Sequence, residues 1–169
     1  MPGSRRDEQW RRDERLRPHQ RRLPVFLLGA SYVGFVISLY LTLVHYRGYI
    51  APCHVVHGCE VVQTSRYSVI LGIPVALAGA VFFTLMFYLG IGLLTRPGLL
   101  LVRAYKLLAY AGALAVIPLF LLQAVVLRAF CSYCLATEVM MLAMWGASFA
   151  LTSPRQMAEA REGDAPPER

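Results

Sequence analysis

LPVFLLGASYVGFVISLYLTLVHY, residues 23–46, runs for 24 positions without a formal charge. A helix that crosses a hydrocarbon core of about 30 Å needs roughly 20 such residues. The stretch is too long for the apolar region of a cleaved signal peptide, about 7–15 residues, and similar stretches follow it. Val69–Thr95 and Leu107–Leu127 carry no charge, and Leu135–Ser153 is interrupted only by Glu138. Overall the chain is 57% hydrophobic and 16% charged, which excludes an ordinary soluble domain. Lipid offers no partners to unpaired backbone groups, so these segments must be helical. The expected fold is an all-α membrane protein, a four-transmembrane-helix bundle spanning residues 23–153.

The charges orient it. Of the 17 Lys and Arg residues, eight Arg fall within residues 1–22. Arg96, Arg103 and Lys106 lie between the second and third segments, and Arg155, Arg161 and Arg169 follow the fourth. The first and third connections hold only Arg47, Arg66 and Arg128. Positive residues gather on the cytoplasmic side. Both termini are therefore expected in the cytoplasm, as a basic tail (1–22) and a C-terminal tail (154–169). The 47–68 loop and the 128–134 turn then face outward, and the protein is a multi-pass protein of an inner or plasma membrane. The net charge of +7 belongs mainly to the N-terminal tail. That tail runs straight into an apolar segment, so it orients the chain rather than binding nucleic acid. Residues before Arg17 and after Gln156 read as disordered tails. Pro74 suits the first turn of the second helix, and Pro118 should kink the third. Small residues such as Gly79, Gly90 and Gly112 suit close helix contact in lipid.

All four cysteines land on the outer side, where disulfides persist. Cys131 and Cys134 form a C-x-x-C just before the last apolar segment. A helix N-terminus favours the thiolate, the species that attacks disulfides, and Arg128 stands three residues upstream. Cys53 and Cys59 lie in the 47–68 loop, where Gly58 lets the chain turn enough to bridge them. Four cysteines allow three connectivities. Static disulfides, zinc held with His54 or His57, and mere apolar packing are the competing readings. A C-x-x-C bridge closes too small a loop to stabilise much, and the zinc spacing is incomplete. Dithiol–disulfide redox work accounts best for two pairs at one edge. No metal site is expected. Glu138, four residues after Cys134 on the same helix face, is an ionisable group at membrane depth and a functional candidate.

The run Tyr40-Leu41-Thr42, His45-Tyr46, Cys53, Gly58-Cys59-Glu60-Val61-Val62, Ser65-Arg66-Tyr67 and Gly72-Ile73-Pro74, completed by Cys131-Ser132-Tyr133-Cys134-Leu135, resembles bacterial members of the vitamin K epoxide reductase family. The resemblance covers about residues 24–152. It implies a disulfide-generating membrane thiol:quinone oxidoreductase. Cys131 and Cys134 would be the active-site pair, with Cys134 facing the quinone. Cys53 and Cys59 would be the shuttle pair, Cys53 meeting a partner's thiol and Cys59 exchanging with Cys131. Ser65 would assist the site. Glu138, Phe82 and Phe83 are candidates for the quinone pocket. The electron acceptor would be a lipid quinone such as menaquinone or ubiquinone. Many relatives carry a fused thioredoxin-like domain. The sequence given reaches only Arg169, so the expected partner is a separate DsbA-type thioredoxin-like protein. Vertebrate members have an Asn early in span two and a Tyr four residues after the last cysteine. This chain has Val75 and Glu138 there, which weighs against epoxide reduction and leaves quinone reduction. The rival readings are a vitamin K quinone or epoxide reductase valued for its quinol, and a non-enzymatic metal-binding assembly factor.

Overall fold

The computed structural model describes residues 5–52, 58–95 and 98–151, with side chains from Leu23 onward. Helix α1 runs Arg5–Tyr46, and the short α2 spans Cys59–Thr64. A 3₁₀ turn at Arg66–Ser68 leads into a two-stranded hairpin, β1 (Val69–Ile70) and β2 (Ile73–Pro74). Helix α3 covers Val75–Thr95 and α4 covers Leu99–Leu121. A π turn at Leu122–Leu127 continues α4, and α5 spans Ser132–Ser148.

Three of these are long and apolar enough to cross a membrane: Leu23–Tyr46 of α1, α3, and α4 with its π turn. The fourth apolar helix, α5, is 17 residues long. Helix α1 packs most extensively on α3 and also against α5, while α4 packs on α5 and α3. The four long helices thus form a closed ring. Leu27, Phe83, Met86, Tyr105 and Met144 are buried at its centre. Leu107, Leu114, Tyr88 and Val125 point outward and are exposed. An apolar exterior around an apolar core is what lipid, not water, permits. Small residues set the spacing. A Cβ on Gly34 would collide with the Phe83 ring, so this glycine lets α3 approach α1 closely.

Several boundaries differ from the sequence reading. Residues 69–74 are not the start of the second helix. They form the hairpin, with Val69 paired to Pro74 and Ile70 to Ile73. Leu71 and Gly72 both have positive φ, at 52° and 81°, the pattern of a two-residue turn matched to strand twist. Apolar composition hid this turn. Arg103 and Lys106 belong to the first turns of α4 rather than to a loop. The basic stretch from Arg5 continues α1 instead of forming a disordered tail. The fourth helix closes at Ser148, before the expected Ser153, and the C-terminal tail lies outside the described residues.

Pro118 sits inside α4, which stays α-helical through Leu121 before the backbone widens into the π turn. A π turn inserts an extra residue and shifts which side chains face inward. Gln123, in that turn, is 3% exposed. Arg128 ends the turn in the left-handed region, at φ 49°. The N–H groups of Arg128 and Ala129 both donate to the Gln123 carbonyl. The turn thereby delivers the chain to Cys131 in an extended conformation, ready to cap α5.

Candidate redox site

Cys131 is the N-cap of α5, and the Cys134 N–H donates to its Sγ at 3.4 Å. The Cys134 thiol also hydrogen-bonds to the Cys131 sulfur. That bond, with help from the backbone N–H groups of Cys134 and Tyr133, outweighs burial and brings Cys131 down from the ordinary thiol value to about 7. The thiolate-bearing cysteine is thus the one with no exposed surface. Arg128, expected to help, is exposed and shapes the turn instead. Both Cys131 and Cys134 are free thiols.

The loop meets this turn backbone to backbone. Gly58 is buried, and a Cβ there would lie 2.6 Å from both the backbone nitrogen and the carbonyl oxygen of Phe130. Only glycine allows that approach. The next residue on each side is a cysteine, Cys59 and Cys131. Cys59 is 1% exposed and is disulfide-bonded. Two further contacts tie the loop to α5 and α1. Tyr133 donates its hydroxyl to the Pro52 carbonyl at 3.2 Å, and its ring meets the Tyr40 ring at a tilt, with centroids 5.7 Å apart. Cys53, His54 and His57 lie outside the described residues.

Cys134 opens on a cavity of about 840 Å³ bounded by all four long helices and by α2. Its lining includes Gln63, Ser65, Phe82, Gln123, Cys134 and Glu138. That volume suits a small organic ligand. The Ser65 hydroxyl donates to the Val62 carbonyl at 2.9 Å, which settles the turn after α2. Phe82 forms part of the wall, its ring resting where Gly112 has no side chain. Phe83 does not reach the cavity. It is fully buried in the helical core. Adjacent residues on a helix point about 100° apart, so the two phenylalanines could not share one face.

Glu138 is 5% exposed and faces Gln123, whose Nε2 donates to Glu138 Oε1 at 2.8 Å. Gln123 Oε1 accepts the buried Cys131 N–H at 2.9 Å. Gln123 is a site residue that the sequence alone does not single out. A signal is nonetheless present: a single amide inside the uncharged Leu107–Leu127 stretch. Gln63 is another such residue. Its Oε1 accepts the Ala51 N–H at 3.1 Å, anchoring the loop to α2. Among the described residues, no three His, Cys, Asp or Glu side chains gather closely enough to hold a metal ion.

A C-x-x-C capping a helix, a second cysteine next to a glycine packed on the same turn, and an apolar cavity lined by Cys134 form one redox-capable site. No curated protein matches the chain. The family model described as "Vitamin K epoxide reductase family" matches residues 25–149, which covers the ring of helices, the loop and both described cysteine sites. The chain therefore belongs to the vitamin K epoxide reductase family.

Proposed function

We propose that this protein is a thiol:quinone oxidoreductase that reoxidises a DsbA-type thioredoxin-like protein and passes two electrons to a lipid quinone. Membership of the family makes it a membrane oxidoreductase with quinone-linked chemistry. The observation that carries the finer reading is the placement of Cys134. It lines the 840 Å³ cavity while hydrogen-bonded to a buried Cys131 held near its thiolate form.

That placement supports the following order of events. The partner's dithiol exchanges with a Cys53–Cys59 disulfide at Cys53, on the watery side. Cys59 then attacks Cys131 and releases Cys134. When the loop disulfide closes again, Cys131 and Cys134 are both reduced. Cys59 in a disulfide with two free thiols in the C-x-x-C is the state expected at this point. The pair then closes its own disulfide, and two electrons and two protons go to the quinone, giving quinol. In this reading α5 is the fourth span, both termini are cytoplasmic, and the loop and C-x-x-C lie on the extracytoplasmic side.

The test is menadione reduction by the purified protein in detergent, with a dithiol donor, comparing wild type with Cys134→Ala. Catalytic quinol formation by the wild type alone is expected. A folded wild-type protein that turned over none of several quinones would remove the reading.

A further inference from the structure

Two polar residues, one on the π turn and one on α5, join the reactive turn to the cavity. Gln123 Oε1 must accept at Cys131 N–H, because a backbone amide offers only a donor. The orientation of the side-chain amide is thereby fixed, and Nε2 must face Glu138. Glu138 Oε1 then acts as an acceptor. A proton on this carboxyl is confined to Oε2, on a side chain that lines the cavity together with Cys134. Satisfying the buried Cys131 N–H accounts for an amide at Gln123, but it does not call for an ionisable group at Glu138.

We infer that Gln123 is a positioning residue that holds Glu138 as the donor of the second proton for quinone reduction. The inference rests on the quinone reading above. Closing the Cys131–Cys134 disulfide from one thiolate and one thiol yields two electrons and one proton. Quinol formation needs two electrons and two protons. The missing proton comes from the Glu138 carboxyl. The negative charge leaves the Cys131 sulfur and appears on the Glu138 carboxylate, where the Gln123 Nε2–H stabilises it. One amide therefore contacts the residue that loses the charge and the residue that receives it.

The experiment compares wild type, Glu138→Gln, Gln123→Glu and Gln123→Leu, using menadione turnover and infrared difference spectra of the C-x-x-C as menadione oxidises it. The wild type is expected to lose a carboxylic-acid C=O band on oxidation, and Glu138→Gln should lack that band. Glu138→Gln should lower kcat on the order of a hundredfold, the scale of a lost general acid, with a smaller effect on KM. Gln123→Glu keeps an acceptor for the Cys131 N–H and so separates folding from proton delivery. It should retain the wild-type thermal midpoint, shift the carboxyl band and lower kcat at least tenfold. Gln123→Leu should lower kcat as well. If the wild type reduces menadione but Glu138→Gln matches it, or if Gln123→Glu shows wild-type kcat and band, this inference is overturned while the quinone reading survives. If the wild type reduces no quinone, both are overturned.

Discussion

Gly58 lies against Phe130 so closely that a methyl group at its Cα would sit 2.6 Å from two Phe130 backbone atoms. Those atoms are main chain and cannot swing aside, so the loop must retreat if the methyl is added. Cys59 would move with it. Gly58→Ala is therefore expected to slow exchange between the two cysteine sites more than it affects quinone binding. In a Cys134→Ala background, the Cys59–Cys131 mixed disulfide should accumulate and be seen as a cross-linked peptide by mass spectrometry. Adding Gly58→Ala should reduce its yield several-fold, on the order of the 1–3 kcal/mol that overpacking costs. An undiminished cross-link would show that the contact does not set the approach.

Cys131 provides a pH signature. Its thiol loses its proton near 7 instead of near 9, because the Cys134 thiol and nearby N–H groups hydrogen-bond to the thiolate. The thiolate fraction of the reduced protein therefore rises as pH climbs through about 7. In a Glu138→Gln background, which removes the proton-donating carboxyl from the profile, the residual single-turnover rate of quinone reduction should rise over the same interval and level off about a unit above it. Ultraviolet thiolate absorbance of the reduced protein should titrate in parallel, and Cys131→Ser should remove that step. A midpoint close to 9 would contradict the assignment.

Phe82 and Gly112 govern the cavity wall. The Phe82 ring occupies the place of a Gly112 side chain, so Gly112→Ala must push the ring toward the cavity. Overpacking of this kind costs about 1–3 kcal/mol. The quinone KM is expected to rise by about tenfold while exchange among the cysteines is unchanged. A Gly112→Ala, Phe82→Leu double variant should recover part of the loss, which steady-state kinetics would measure.

Membrane orientation can be read from two positions at opposite ends of α3. Leu71, at the tip of the hairpin, is 97% exposed, and Gly98 caps the start of α4 at the opposite end of α3. In a cysteine-free background, Leu71→Cys should react with an impermeant maleimide added to intact cells. Gly98→Cys should react only after permeabilisation. The reverse pattern would invert the topology.

The apolar lengths of the first three helices and the place of the C-x-x-C at a helix start were legible in the sequence. A charge-free run must be buried in something, and the polar residues around Cys131 and Cys134 mark where the last apolar run begins. The hairpin at residues 69–74 was not legible. Val69, Ile70, Leu71 and Ile73 are as hydrophobic as the helix they precede, and only the dihedrals of Leu71 and Gly72 set them apart. Gln123 was missed although its register was readable. Val102, Tyr105, Ala109, Gly112 and Val116 are buried at spacings of three and four, which puts Gln123, seven residues after Val116, on the same face, but a lone amide on an apolar face does not name its partner. Glu138 was visible as a charge, but its partner was not, since the pair is 15 residues apart across a turn. Phe82 and Phe83 could not be told apart without knowing which helix face met the cavity.

Cys59 and Cys131 are 1% and 0% exposed, although both sit at the edge of the bundle. Sulfurs so enclosed are insulated from whatever is dissolved outside. Dissolved thiols and peroxide are kept from both, so under the proposed relay the inner pair neither leaks electrons to the surroundings nor drifts to the sulfinic state. Its redox poise would then be set at the two ends of that relay alone.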